Sequence, residues 1–298
     1  METGRLLQGR HGAPEVAPGL HLVATPIGSA RDITLRALDV LAGAEVLAAE
    51  DTRTLRRLLE IHGVALNGRP LHAYHDHNGA AVRPRLLRAL AEGRSVAYAP
   101  EAGTPLVADP GFALARAAIA AGHPVHAVPG ASAVLAALCV SGLPSDRFLF
   151  AGFPPPTGAA RSSWLAELAG VPATLILYES PRRVGKLLGD MVLAFGASRR
   201  IALCRELTKL HEEVMRGTIG DIASTLAGRD LRGEVVLVVD RAAPEVSDPA
   251  DVDQALRKAL GGGPVKAVAA EVAARFGLSR REVYQRALQI LADGTDGS

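Results

Sequence analysis

Short apolar runs alternate with longer amphipathic stretches along the first half of the chain. The runs are bounded by glycine and proline, as strands of a buried parallel sheet are, and the stretches between them carry apolar residues at helical spacing. The predicted strands cover residues 20–25, 46–49, 95–99 and 124–128, and the predicted helices 33–42, 52–62, 82–92, 112–121 and 131–141. This alternation predicts an α/β fold, with a mostly parallel sheet covered by helices on both faces.

The second half has a different strand pattern. Its predicted strands cover residues 148–153, 173–178, 201–206, 214–218 and 234–239, with the third and fourth joined by a short polar segment. That spacing is typical of a hairpin, so we expect a mixed sheet. We predict a flexible N-terminal extension at 1–19, an N-terminal α/β domain at 20–143 and a C-terminal α/β domain at 144–241.

A helical tail is predicted beyond a linker at 242–249. Residues 250–293 alternate helical stretches with a short glycine turn, and Ser279 and Glu282 have capping-box spacing at the start of the last helix. The order of helix, turn and capped helix resembles a helix-turn-helix. The tail is also locally basic, so two interpretations stay open: a small three-helix bundle with solvated arginines, or an accessory module that contacts RNA.

Composition narrows the class of protein. The 298 residues are 48% hydrophobic and 21% charged, with a net charge of +2, so no overall field marks a nucleic-acid-binding protein. Two cysteines make no disulfide framework, no apolar run is long enough to cross a bilayer, and the first residues lack the pattern of a signal peptide. We therefore expect a cytoplasmic protein without a membrane partner.

Three loops rich in glycine and proline follow predicted strands of the first half, at residues 25–29, 101–111 and 128–133. Each alone is compatible with a tight turn. Because ligands bind at the carboxyl ends of parallel strands, three such loops together predict one cleft. None has the Walker A or the G-x-G-x-x-G pattern, which favours an uncharged nucleoside group over a phosphate clamp. Polar segments at 178–183 and 205–213 follow strands of the second half, and two interpretations stay open: a solvated hairpin tip, or the opposite wall of this cleft if they face the three loops.

Two further polar segments follow the second predicted strand. Glu50 and Asp51 come directly after it, where carboxylates either face a ligand or pair with nearby arginines such as Arg53. The loop at 74–78 contains His75 and His77, which have the spacing of metal ligands. Without supporting cysteines, a polar loop that faces substrate is the preferred interpretation, and we assign no metal site.

Taken together, these motifs resemble a known family. Thr25-Pro-Ile-Gly28, Ala49-Glu-Asp-Thr-Arg53, Tyr74-His-Asp-His-Asn78, Ala102-Gly-Thr-Pro-Leu106, Asp109-Pro-Gly111, Pro129-Gly-Ala-Ser132, Tyr178-Glu-Ser-Pro-Arg182 and Cys204-Arg-Glu-Leu-Thr-Lys209 occur in the order and spacing of the small-subunit ribosomal RNA methyltransferase I family. That family is a branch of the tetrapyrrole methylase superfamily. The resemblance runs from about residue 20 to residue 239, and the tail resembles an extension that some members carry.

The resemblance implies a fold and an activity. It implies a tetrapyrrole-methylase-like fold, with two α/β domains and a cofactor cleft between them, rather than the Rossmann-type methyltransferase fold that the strand pattern alone suggests. It also implies a homodimer that uses S-adenosylmethionine to methylate the ribose 2′-hydroxyl of a cytidine in the decoding region of 16S rRNA. The residues expected to bind the cofactor are Pro26, Ile27, Gly28, Glu101, Ala102, Gly103, Thr104, Pro105, Pro129, Gly130, Ser132, Ala133 and Tyr178.

Transfer to a ribose hydroxyl is helped by a nearby base. We expect Glu50 or Asp51 in that role, with His75 as the alternative, because these residues lie beside the cofactor loops. The expected contacts to RNA phosphates are Arg53, Arg182, Arg183, Arg280 and Arg281. Two other functions stay open: C-methylation of a small tetrapyrrole, and a non-catalytic RNA-binding factor for assembly of the small ribosomal subunit.

One position departs from the family pattern. Where the family usually has Ser-Asp before Ala-Gly-Thr-Pro, this chain has Pro100 and Glu101. The carboxylate is kept but is one methylene longer, and proline lacks the backbone N–H donor. The departure therefore bears on how the loop holds its ligand.

Overall fold

The computed structural model describes residues 14–107, 109–242, 249–260 and 262–295, and in it the chain forms two compact units. The larger unit contains both β-sheets, and the smaller one contains the C-terminal helices together with residues 166–173. Residues 1–13 of the predicted N-terminal extension and 243–248 of the predicted linker lie outside the described residues. Residue Val16, within the predicted extension, packs against the core of the first sheet.

The first sheet is parallel throughout, as the alternation of strands and helices predicts. Its strand order is β3-β2-β4-β1-β5. The strands are β1 (Gly19–Val23), β2 (Val46–Ala49), β3 (Leu71–Ala73), β4 (Ser95–Ala99) and β5 (Val125–Val128). Strand β3 was not predicted, because it is three residues long and has the polar His72 at its centre.

Five helices accompany this sheet: α1 (Leu35–Gly43), α2 (Thr52–Ile61), α3 (Gly79–Ala91), α4 (Gly111–Ala120) and α5 (Ala133–Ser141). Helices α1 and α2 bury apolar residues against one face of the sheet, and α3 and α4 do so against the other. Strands β2 and β4 are buried along their whole length because helices cover both of their faces.

The second sheet is mixed, as the predicted hairpin requires. Its order is β6-β7-β10-β8-β9, where β6 is parallel to β7 and the other pairs are antiparallel. The strands are β6 (Phe148–Gly152), β7 (Thr174–Glu179), β8 (Arg200–Arg205), β9 (Glu213–Thr218) and β10 (Val235–Val239). Helices α6 (Gly158–Ala169), α7 (Pro181–Phe195) and α8 (Ile219–Leu226) were not assigned from the sequence.

Helix α5 joins the two sheets into one unit. It follows the last strand of the first sheet, yet Ala137 and Leu138 share a buried cluster with Ile176 and Val236 of the second sheet. Burial of apolar surface on both sides fixes where the strand ends of one sheet lie relative to the other. This packing places the loops of the first sheet against the second sheet.

The tail forms helices α9 (Pro249–Ala259), α10 (Val265–Phe276) and α11 (Arg280–Thr295), which share a small core containing Leu256, Val272 and Ala287. Gly277 ends α10 in the left-handed conformation that glycine adopts without strain. None of the helices in the described part of the chain has the length and apolar character that a membrane span requires.

Candidate functional site

Hydrogen bonds tie together the three loops that follow β1, β4 and β5. Thr25 and Gly103 exchange backbone hydrogen bonds of 2.9 and 3.0 Å. The hydroxyl of Thr104 donates to the carbonyl of Ala131 over 2.9 Å. The three strand-end loops therefore form one continuous wall, in the convergence that the sequence predicts.

Gly103 shows why a glycine is needed in that wall. Its φ is +79°, a backbone conformation that L side chains rarely adopt, and a Cβ there would lie 3.3 Å from Cγ2 of Ile27. The glycine lets the loop after β4 come close to the loop after β1.

The opposite wall comes from the second sheet. Tyr178 and Glu179, at the end of β7, lie beside Val235 and Val236, at the start of β10, because the two strands are antiparallel. Phe153 adds an aromatic ring, 5.4 Å from that of Tyr178. The two walls enclose a cavity of about 420 Å³, within the range of small-molecule sites.

The cavity is lined by carboxylates. Five acidic residues line it, Glu50, Glu101, Asp109, Glu179 and Glu234, and the described lining contains no lysine, arginine or histidine. The carboxylates of Glu179 and Glu234 pair with Arg183 and Lys209 outside the lining, so the unbalanced negative charge belongs to Glu50, Glu101 and Asp109. An electrostatic environment of this kind favours a cationic ligand group and disfavours an anionic one.

Glu50 has a perturbed titration. Burial raises the pKa of its carboxyl, and the charges of Asp109, Glu101 and Asp76 raise it further. The backbone N–H of Glu101 acts in the opposite direction, since it donates to Oε2 of Glu50 over 3.0 Å. Glu50 is thus a half-buried carboxyl held in a fixed position at the cavity wall.

Asp109 has one satisfied oxygen and one unsatisfied oxygen. Its Oδ1 accepts hydrogen bonds from the Tyr98 hydroxyl, at 3.1 Å, and from the Gly111 backbone N–H, at 2.6 Å. Its Oδ2 is buried and has no partner among the described residues. A buried carboxylate oxygen without a donor is costly, so it marks a place where a ligand donor or cation fits.

The predicted cofactor residues divide into two groups. Those that line the cavity are Ile27, Glu101, Ala102, Gly103, Thr104, Ser132, Ala133 and Tyr178, and those that do not are Pro26, Gly28, Pro105, Pro129 and Gly130. In the second group, Gly28 and Gly130 stand where other residues approach the backbone closely, since a Cβ at Gly130 would lie 2.9 Å from Cβ of Ala24. A Cβ at Gly28 would lie 2.6 Å from Cγ of Lys209, so this glycine allows the first loop to approach the hairpin of the second sheet.

The three candidate bases are in different environments. Glu50 lines the cavity, whereas Asp51 and His75 do not. Asp51 is the N-cap of α2, where hydrogen bonds from Arg53 lower the pKa of its carboxyl to about 2. His75 lies outside the cavity lining, and its backbone N–H donates to Oδ1 of Asn78 over 2.9 Å.

The predicted RNA-contacting arginines also differ. Arg53 has 91% of its side chain exposed and pairs with Asp51 at 2.9 Å. Arg182 is exposed, but Arg183 pairs at 2.6 Å with Glu179, whose side chain is only 2% exposed. Arg280 and Arg281 lie exposed in the first turn of α11, in the smaller unit.

Sequence reasoning missed part of the lining. Val107 and Asp109 fall in the predicted loop at 101–111, and Glu179, Ser180 and Pro181 fall in the polar segment at 178–183, although none was named as a site residue. The lining residues outside every predicted segment are Phe153, Gly233, Glu234, Val235 and Val236, and the polar segment at 205–213 contributes none. Asp109 lies in the loop after β4 and had a signal, since it is a carboxylate in a glycine- and proline-bearing strand-end loop. Residues 233–236 had none, because only strand pairing brings the start of β10 beside the end of β7.

The histidine-rich loop does not assemble a metal site. The rings of His75 and His77 lie 6.0 Å apart, edge to face. Across the residues that the structure describes, no three or more His, Cys, Asp or Glu side chains come together as metal ligands would.

Comparison with known proteins agrees with this architecture. The family model described as "Tetrapyrrole (Corrin/Porphyrin) Methylases" matches residues 19–223, and the one described as "RsmI C-terminal HTH domain" matches residues 246–291. Solved structures of uroporphyrin-III C-methyltransferase from Thermus thermophilus are similar. One, at 26% identity, has a TM-score of 0.54 over 75% of this chain and 94% of the other. Another, complexed with S-adenyl homocysteine, has 21% identity and a TM-score of 0.51 over 74% of this chain and 97% of the other.

The fold and the cavity thus define a tetrapyrrole-methylase-like α/β protein with a ligand cleft at its strand ends. A relative from Mesorhizobium japonicum, named ribosomal RNA small subunit methyltransferase I, is 46% identical over 96% of both chains. The chain belongs to the tetrapyrrole methylase family and, within it, to the family of that relative.

Proposed function

We propose that this protein uses S-adenosylmethionine to methylate the ribose 2′-hydroxyl of a cytidine in the decoding region of 16S rRNA. The observation that carries the proposal is the nucleoside-sized cavity, lined by carboxylates, at the carboxyl ends of β1, β4 and β5. The relative named as a small-subunit rRNA methyltransferase supports the substrate, since similarity covers 96% of each chain. An rRNA substrate would place the protein in the cytoplasm.

The lining fits S-adenosylmethionine in charge and in chemistry. Its carboxylates complement a sulfonium cation and an amino group. The unpartnered Oδ2 of Asp109 can accept a hydrogen bond from the ligand. Ile27, Phe153 and Tyr178 offer apolar and aromatic surface for a purine. Burial raises the pKa of Tyr178 to about 12, so this ring stays neutral beside a ligand. When bound, the cofactor supplies an activated methyl group.

The chain itself must orient the ribose, exclude water and accept a proton. We assign the role of base to Glu50, because it alone among the three predicted candidates lines the cavity. Its hydrogen bond from the Glu101 backbone fixes the carboxylate without using a side-chain donor. Its raised pKa also makes it a better proton acceptor than an ordinary glutamate once it is ionised.

We assign the binding of RNA phosphates to exposed arginines outside the cavity. Arg53 and Arg182 are the strongest of the predicted set, with Arg280 and Arg281 of the tail as further contacts. The ion pair of Arg183 with buried Glu179 supports the cavity wall instead. We keep the homodimer as part of the proposal on the strength of the family resemblance.

The similarity argues against the tetrapyrrole alternative. The relative that matches 96% of this chain, at 46% identity, is named as an rRNA methyltransferase, whereas the uroporphyrin-III C-methyltransferase structure matches 75% of this chain at 26% identity.

The deciding experiment is transfer of labelled methyl groups from S-adenosylmethionine. We expect labelled 2′-O-methylcytidine in small-subunit rRNA, either naked or in assembled subunits, and none in a free tetrapyrrole. Label in the tetrapyrrole alone would contradict the proposal. Cofactor binding in calorimetry without any transfer would favour a non-catalytic assembly factor.

A further inference from the structure

A second, smaller cavity lies at the opposite end of β2 from Glu50. Its volume is about 170 Å³, and Val46, the first residue of β2, and Pro70, just before β3, form its floor. Glu50 follows the last residue of β2, so about 13 Å of strand separates the two cavities at roughly 3.3 Å per residue. We call it the arginine pocket, after Arg85, Arg88 and Arg94, which line it with His72.

The arginine pocket carries excess positive charge. Glu92 is the one carboxylate in its described lining. Arg94 is partly neutralised, since it lies 3.7 Å from Glu45 and 4.0 Å from Glu92. Arg85 and Arg88 are exposed, and within the described part of the chain neither forms an ion pair with a carboxylate.

The two arginines without acidic partners are positioned to act together. Arg85 and Arg88 lie three residues apart on α3, so they share one face of the helix. His72 completes the pocket from β3. Burial, and secondarily the charge of Arg85, lower the pKa of His72, so at neutral pH it contributes a hydrogen-bonding imidazole rather than a further charge.

This lining selects a phosphate group. Planar guanidinium groups bind phosphate oxygens in pairs, and the volume accommodates one phosphate with a few waters. It is smaller than the roughly 300 Å³ at which pockets for whole small molecules begin. A phosphate that is part of a longer chain therefore fits better than a complete nucleotide.

The charge of the main cavity explains why such a site is needed. An RNA that presents a ribose to Glu50 brings its phosphates toward the carboxylates of Glu50, Glu101 and Asp109. Attraction between RNA and protein must then come from cations elsewhere on the surface. We propose that the arginine pocket binds one backbone phosphate of the rRNA substrate, an inference that rests on the proposed function.

The test compares Arg85→Gln/Arg88→Gln with the matched control Arg147→Gln/Arg200→Gln. The control removes the same charge from two exposed arginines beside or within the second sheet. We expect the pocket variant to bind a small-subunit rRNA fragment roughly tenfold more weakly, and the slope of log Kd against log salt to fall by about 1. Its affinity for S-adenosylmethionine and its single-turnover rate at saturating RNA should match wild type. An unchanged RNA affinity and slope, equal to the control, would overturn the proposal.

A substitution of opposite sign sharpens the test. Glu92→Gln removes the carboxylate of the pocket and should tighten RNA binding a few-fold, with a steeper salt slope. Weaker or unchanged binding would count against a phosphate in the pocket.

A third arm separates RNA phosphate from a free anion. If inorganic phosphate protects wild type but not Arg85→Gln/Arg88→Gln against thermal unfolding, while RNA affinity is unchanged, the pocket serves a free anion and the proposal fails. Methyl transfer by wild type is measured in parallel. Its loss would refute the proposed function, whereas normal transfer with an inert pocket refutes only this inference.

Discussion

The backbone N–H of Glu101 donates to Oε2 of Glu50 over 3.0 Å, which ties the loop after β4 to the residue that directly follows β2. The bond stands where this chain departs from its family pattern, since Glu101 follows Pro100. Pro100 has no backbone N–H, and the N–H of the next residue, Glu101, is the donor that positions the candidate base Glu50. The departure thus preserves a donor at the place where the cavity needs it.

Glu50→Gln should remove the base without emptying the cavity. We expect the single-turnover methylation rate to fall by about 10²-fold or more, with cofactor affinity in calorimetry nearly unchanged. In wild type the rate should fall as the pH falls through the raised pKa of Glu50, because only the ionised carboxylate accepts a proton. A variant that keeps the wild-type rate and acid limb would exclude Glu50 as the base.

The same substitution should stabilise the fold at neutral pH. Burial raises the pKa of Glu50, so the folded state disfavours its charged form, and stability is lost as pH rises from the unfolded pKa to the folded one. An uncharged glutamine avoids this cost, and we expect Tm at pH 7 to rise by about 2 °C. The gain should vanish in acid, where wild-type Glu50 is protonated. A lower Tm at pH 7 would contradict this account.

Asp51→Ala should affect stability rather than chemistry. The carboxylate caps α2 by accepting from the N–H groups of Arg53 and Thr54. Loss of the cap should lower Tm by a few degrees, roughly as for other N-cap residues. Because the folded pKa of Asp51 is about 2, below its ordinary value, this contribution is present above pH 4 or so and disappears as pH falls toward 2. A large loss of single-turnover rate with normal Tm would reverse the assignment.

Asp109→Asn should distinguish charge from shape in the cofactor site. S-adenosylmethionine carries a sulfonium charge that S-adenosylhomocysteine lacks, so neutralising a lining carboxylate should weaken the first ligand roughly tenfold and the second much less. Calorimetry measures both affinities. Glu60→Gln, at a position 68% exposed and outside the cavity, is the matched control. An equal loss for both ligands would point to a disturbed loop rather than to charge.

Adjacent arginines after β7 should give different results. Arg183→Gln leaves the carboxylate of Glu179, 2% exposed, without its ion-pair partner, and should cost about 1–3 kcal/mol of unfolding free energy. Arg182→Gln removes an exposed charge and should leave stability unchanged while reducing the salt dependence of RNA binding. Denaturant unfolding and a salt series on rRNA binding separate the two. If Arg183→Gln is as stable as Arg182→Gln, the ion pair is not structural.

Much of the architecture was predictable because it depends on local pattern. The apolar runs located β2 and β4 to the residue, and the hairpin between β8 and β9 followed from their spacing. The helices of the second half were missed. In α6 the apolar residues show almost no helical periodicity, so no buried face is visible in the sequence.

The candidate site was predictable only where a loop or polar segment directly follows a strand. Glycine and proline at 25–29, 101–111 and 128–133 predicted the first wall, since glycine permits close approach of backbone to a ligand. In the opposite wall, the segment at 178–183 was recognisable as polar residues after a strand, whereas residues 233–236 were not, because only the antiparallel pairing of β10 with β7 brings Val235 against Glu179. Strand pairing between distant segments leaves no local signal.

By itself, the sequence determined the succession of most strands along the chain, the family, and the identity of polar groups near the cleft. These features depend on residue type and spacing. Tertiary structure decided what each of these groups does. Of two adjacent carboxylates, Glu50 reaches the cavity and Asp51 caps a helix, and of two adjacent arginines only Arg183 is bound to a buried acid. Neighbouring side chains point in different directions from the backbone, so their burial and partners are set by packing between elements far apart in the chain.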